Sequence, residues 1–160
     1  MRTLVKSVLI GVAALTSAAA AAEESSGTGA SGTFVAVSGY WNDGMSAHFK
    51  IEAEIAYDGE SFSYRGLNLT NPDKPVVTNE FSGALDAVKR PADGMTYDSI
   101  VMRGLLPNEI MIEKYRGPRI HSGEFWHYDE ASDQWLRHGV VSELPNGMTR
   151  TYYEIFKRKQ

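Results

Sequence analysis

The sequence predicts an all-β fold: an antiparallel up-and-down meander of eight to nine strands closing into a barrel. Three observations carry it. Apolar and polar residues alternate with period two along much of the chain. Turn pairs, Asp58-Gly59 and Asn146-Gly147 among them, punctuate those runs. No stretch has a convincing helical period, and Ala84–Val88 has room for one helical turn at most. Short turns favour pairing of sequential strands, and closing a long meander removes its two exposed edges.

The N-terminus stands apart from that pattern. Arg2 and Lys6 precede an apolar run from Val8 to Leu15, and Ala20-Ala21-Ala22 fits a small-residue cleavage site before Glu23. Residues 1–22 therefore read as a secretory signal peptide, too short in its apolar part for a span of about 20 residues. Removing it leaves 138 residues with 14 basic against 20 acidic, a net charge of −6. Residues 23–31 (EESSGTGAS) read as a flexible lead-in, and residues 32–160 as the folded domain. The expected location is the periplasm or the medium, with no transmembrane segment after cleavage.

Composition excludes several classes of function. With no cysteine in 160 residues, disulfide scaffolds, thiolate-bound metals, thiol catalysis and a lipidated N-terminal cysteine are all ruled out. The acidic balance removes the electrostatic basis for nucleic-acid binding.

The strands follow in order. Thr33–Tyr40 is the first. Ser46–Tyr57 alternates most clearly, with Phe49, Ile51, Ala53, Ile55 and Tyr57 on one face. Asp58-Gly59 suits a type I′ hairpin turn, and Ser61–Leu69 returns. After the loop Asn71–Pro75 come Val76–Ser82, Met95–Arg103, Glu109–Arg116, Ile120–Tyr128, Gln134–Glu143 and Met148–Lys159. A hairpin centred on Ala131 and Ser132 sets Tyr128 near Trp135 and His127 opposite Leu136.

Three segments carry a family resemblance. Gly32-Thr33-Phe34 resembles a lipocalin Gly-x-Trp opening with phenylalanine in place of tryptophan. Tyr152–Arg158 supplies an aromatic followed by an arginine on the closing strand. Trp126-x-Tyr128-Asp129, a polar loop and Trp135 resemble bacterial lipocalin-like families of the DUF1579 type. The chain is thus similar to the calycin superfamily, and the resemblance implies a calycin-like barrel with a ligand cavity.

Candidate site residues are few. Arg150 and Tyr152 lie two apart and share a strand face, so a carboxylate can be held between a guanidinium and a hydroxyl. Fatty-acid-binding proteins use a similar Arg-x-Tyr on the last strand. Glu154 shares that face and is expected to pair with Arg150. The alternative is a solvent-facing ladder of Arg150, Tyr152, Glu154, Phe156 and Arg158. Trp126 is either core or a stacking surface. His127 or His138 could serve a haem-like ligand. His121 and His127, six residues apart on one strand, are too distant to share an ion; a chelate of His127 with His138 across the hairpin is possible but not favoured, and the histidines read as separate surface or loop residues. Met95, Met102, Met111 and Met148 could line an adaptable lumen, and equally suit ordinary core filling. No nucleophile, zincin or phosphate-loop motif is present, no catalytic residue is assigned, and the cofactor is unknown.

The first expectation is an exported barrel binding a lipophilic or haem-like small molecule. A second is an envelope protein-binding or inhibitor module, with Gln134–Arg158 as its contact surface. A third is an enzyme in the barrel mouth.

Overall fold

The computed structural model describes residues 29–42, 50–92, 96–142, 144 and 146–160. The expected signal peptide lies outside the described residues, as do 23–28 of the lead-in, 46–49 of the second strand, and Met95. Among the described residues ten strands form one antiparallel sheet: β1 (Gly32–Trp41), β2 (Ile51–Tyr57), β3 (Ser61–Asn68), β4 (Val76–Ala84), β5 (Arg90–Pro91), β6 (Ser99–Gly104), β7 (Glu109–Arg116), β8 (Arg119–Asp129), β9 (Gln134–Val141) and β10 (Arg150–Arg158). The order is β4-β3-β2-β1-β10-β9-β8-β7-β6-β5, an up-and-down meander whose first and last strands pair.

The sheet curls into a half-barrel. Its seam lies between β4 and β6, where an isolated bridge joins Asp86 to Arg103. The Ala87 and Gly104 amides donate to the Met102 and Leu85 carbonyls at 2.9 and 3.3 Å. β5 is the strand absent from the sequence expectation. It has two residues, one of them proline, too few for any alternation to show.

The local chemistry of the turns explains the register. The expected type I′ turn at Asp58-Gly59 is corrected: only Gly59 has positive φ there, whereas type I′ needs it at both central residues. The Asp58 carboxylate instead accepts from the amides of Glu60 and Ser61 at 2.9 and 2.6 Å. The β8–β9 hairpin has the expected register, with Tyr128 opposite Trp135 and His127 opposite Leu136.

One end of the half-barrel is filled. Phe34, Tyr57, Phe62, Trp126, Tyr128, Trp135 and Phe156 point inward there and are almost wholly buried. Rings meet at centroid separations such as 5.7 Å for Tyr57–Trp135 and 5.3 Å for Phe62–Trp126, a range favourable for aromatic pairs. Phe34 pairs with Arg158 across β1 and β10, and the guanidinium carbon lies 4.6 Å from the ring centroid. Thus the two sequence signatures at opposite ends of the domain touch. The packed chain begins before Gly32: Ala30 is fully buried, and its carbonyl accepts from the Trp135 indole at 2.8 Å. The Ser31 carbonyl accepts from Arg158 at 2.9 Å.

Candidate functional site: a charged cavity at the open end

The opposite end holds a cavity of about 940 Å³. Register places its walls. Across β10, β9, β8 and β7, Arg150 opposes Val141, Val141 opposes Ser122, and Ser122 opposes Lys114. Two residues deeper, Tyr152, Gly139, Glu124 and Ile112 form the next row, and Glu154, Arg137, Trp126 and Ile110 the row below. Side chains of alternate residues share a face, so all three rows project into the same space.

Between the aromatic end and the cavity lies a layer of buried charge. The Arg137 guanidinium donates to Glu124 at 3.1 Å, to Glu154 at 3.0 Å and to the Tyr152 hydroxyl at 3.3 Å. Glu124 also accepts from the Lys114 ammonium and from the Trp126 indole at 3.2 Å. Glu154 accepts from the Trp41 indole at 3.3 Å. Two cations thus meet two carboxylates, and each charge has a hydrogen-bonding partner. That satisfaction is what makes burial of such groups tolerable.

Aromatic faces complete the cage. Arg137 lies 5.0 Å from the Trp126 ring, 5.4 Å from Tyr64 and 4.9 Å from Tyr152. Lys114 lies 4.4 Å from Phe81 and 5.2 Å from Tyr97, within reach of cation–π attraction. Gly139 makes room for Tyr152: a Cβ there would sit 2.7 Å from both the Tyr152 hydroxyl and the Gly123 carbonyl.

Burial and charge set the titration of this layer. Desolvation lowers the Lys114 ammonium to about 8, against the opposing pull of Glu124. Desolvation is also the largest single influence on Glu124 and pushes it up. Arg137 and Lys114 together outweigh it, so the carboxyl is held down at about 2. Burial raises the hydroxyls of Tyr64, Tyr97 and Tyr152 above their ordinary range. All three are neutral hydrogen-bond donors at physiological pH.

The cavity rim is polar. Arg116 donates to the Thr96 carbonyl through Nε at 3.0 Å, and Thr96 Oγ1 lies 3.4 Å from His121 Nε2. Arg150 packs over the Trp41 ring at 4.7 Å. Among the described residues the lining carries four basic side chains (Lys114, Arg116, Arg137, Arg150) and two acidic ones (Glu124, Glu154). Ile51, Val77, Val141 and Leu144 add an apolar wall. A second hollow of about 770 Å³ lies along β2–β4. Arg65, Glu54 and Glu80 beside it pair with one another on the surface, so it offers no comparable interior site.

The sequence candidates divide. Arg150 and Tyr152 both line the cavity. The solvent-facing ladder is corrected: Tyr152, Glu154 and Phe156 are buried, while Thr151 and Tyr153 are exposed. The expected Arg150–Glu154 pair is replaced by Arg137–Glu154. Trp126 is core beneath the cavity, 1% exposed. His127 lies on the outer face beside Glu109, its side chain 51% exposed. His138 is also exposed and stacks on Phe125 outside. Neither reaches the lumen. Among the described residues no group of His, Asp or Glu could hold a metal ion. The methionine lining is corrected as well: Met102 is buried core, and Met148 is 52% exposed.

Lys114, Glu124 and Arg137 are not among the site residues assigned from the sequence. Strand parity marks all three. Lys114 follows Ile110 and Ile112, Glu124 precedes Trp126 and Tyr128, and Arg137 follows Trp135, each at two-residue steps.

The chain matches no family model. No curated protein is detectably similar to it in sequence. Solved structures do share the architecture. One, described as "REP1-NXSQ fatty acid transporter", superposes with a TM-score of 0.52 at 14% identity, over 81% of this chain and 96% of that one. At that identity the likeness is one of fold, and it supports the barrel half of the calycin resemblance.

Proposed function

We propose that this chain binds a small amphipathic molecule bearing an acidic group, in the cavity at the open end of the half-barrel. One observation carries the reading. In a chain of net charge −4, the described residues around one concave space include four basic side chains against two acidic ones. An excess of one sign in a cleft with low-dielectric walls favours ligands of the other. Arg150 and Tyr152 share the inward face of β10 and both line the cavity, a guanidinium and a hydroxyl suited to holding the acid. Trp41, Ile51, Val77 and Val141 offer contact to the apolar part. The cargo in the name of the similar structure, a fatty acid, is an amphipathic carboxylate, which agrees with this reading. A haem-like ligand would find neither His127 nor His138 in the lumen.

Fluorescence titration tests the proposal. Anilinonaphthalene sulfonate is expected to bind at least about tenfold more tightly than uncharged phenylnaphthylamine. Arg150→Ala is expected to remove most of that preference, because a charge-assisted hydrogen bond contributes about 1.5–3 kcal/mol. Equal affinities in the native chain, or a preference untouched by the substitution, would overturn it.

We also propose that the protein is exported and works in the periplasm or the medium. The charge, apolar run and A-x-A site of residues 1–22 support this. The intact mass of the protein from its host is expected to correspond to a chain starting at Glu23. Retention of Met1 would contradict export by this route.

A further inference from the structure

We propose that Lys114 is a carbonyl-capturing group: its Nζ condenses reversibly with an aldehyde carried by the bound ligand, and Glu124 holds the resulting positive charge. This rests on the binding reading above and extends it to a ligand class, an aldehydic acid. Ordinary ion pairing explains why Lys114 is tolerated inside the half-barrel. Ion pairing does not require that Lys114 also line the cavity, as it does.

The geometry comes first. Lys114 lines the cavity, yet its side chain is only 3% exposed. Phe81 and Tyr97 flank the ammonium, and Glu124 accepts its hydrogen bond. Lys114 is in the same inward row as Arg150, three strand spacings away, about 14 Å along the sheet. A molecule with its acid at Arg150 and a carbonyl at its far end therefore reaches toward Nζ.

The chemistry balances without a further reactant. The ammonium loses one proton, and the neutral amine adds to the carbonyl carbon. The carbinolamine takes the proton back and expels water, leaving a protonated imine. Ammonium plus aldehyde becomes iminium plus water, so the buried layer keeps two cations and two carboxylates. Covalent capture costs no new buried charge, and Glu124 serves both forms as counter-ion.

Burial makes the first step accessible. Desolvation brings the Lys114 amine to about 8. At pH 7 about one molecule in ten then has it neutral, against about one in 2,500 for an ordinary lysine. Desolvated lysines act as Schiff-base nucleophiles on this principle.

The test uses para-formylcinnamic acid, which carries both groups, and para-methylcinnamic acid, which lacks the aldehyde. The native protein is incubated with the aldehyde at neutral pH, reduced with cyanoborohydride, digested and mapped by mass spectrometry. The expected adduct is on Lys114, heavier by the probe's mass less one oxygen atom. It should exceed that on Lys50, Lys74, Lys89, Lys157 or Lys159 by more than about tenfold. Lys114→Arg, which keeps the charge, should lose the dominant adduct. If the methyl acid binds but reduction leaves Lys114 unmodified, or labels the surface lysines equally, the inference fails and the binding reading stands. If neither acid binds, both fail. The native mapping decides the matter even if Lys114→Arg does not fold.

Discussion

Glu124 shows what a single buried residue contributes. Its carboxyl accepts from Lys114, Arg137 and Trp126 and ties three strands together. Its folded titration point, about 2, lies below the ordinary value of 4.5. The unfolded chain therefore takes up the proton first as pH falls. The stabilisation is complete above pH 4.5 and is lost as pH drops toward 2. The displacement corresponds to roughly 3 kcal/mol. Urea unfolding followed by tryptophan emission is expected to show a midpoint declining across that acid window. In Glu124→Gln the decline should be flatter from a lower starting stability. An acid limb of unchanged steepness would assign the loss to other carboxylates. At this scale the sequence was half legible. Tyr152 and Arg150 declared themselves by spacing, whereas Lys114, Glu124 and Arg137 did not. Residue type argues for solvent, and only their parity with buried neighbours argues for the lumen.

At the scale of strands, parity is the controlling variable, and it moves whole sets of side chains together. β10 turns Tyr152, Glu154 and Phe156 inward and leaves Tyr153 outside, because the aromatic end must bury Phe156 beside Trp126. The apolar tally of the two faces of β10 did not reveal this, since Thr151, Tyr153 and Ile155 are equally apolar. The β8–β9 hairpin was legible in register because its short loop leaves one way to pair the flanking aromatics. The seam was not legible. Leu85–Ala87 joins β6 through one bridge, and Ala87 adopts φ +62° without glycine or asparagine to signal it. On β9, Gly139 has a defined task, since its missing side chain is the space Tyr152 occupies. Gly139→Ala is expected to cost about 1–3 kcal/mol and to displace the Tyr152 hydroxyl from Arg137. Denaturation midpoints check the first effect, and weaker binding of anilinonaphthalene sulfonate checks the second. Unchanged values for both would mean that Tyr152 has room elsewhere.

Over the whole molecule, one meander supports two unlike ends. The filled end brings β1 and β10 together, anchors Ala30 under Trp135 and sets Arg158 over Phe34. It supplies a rigid base in a chain that has no cysteine. The open end spends polar side chains where the filled end uses aromatic ones, and the layer around Arg137 separates them. The sequence predicted the antiparallel meander and an interior cavity. It did not predict an interior so strongly charged, which shifts the expected ligand from a largely apolar one to an amphipathic acid. The central claim is that this open end, and not the outer face, is the binding site. Amide chemical-shift mapping with anilinonaphthalene sulfonate tests it most directly. The largest shifts are expected at Tyr97, Lys114, Ser122, Glu124 and Tyr152, with Phe125, His127 and His138 unmoved. Shifts concentrated on those three outer residues, with the cavity wall silent, would contradict it.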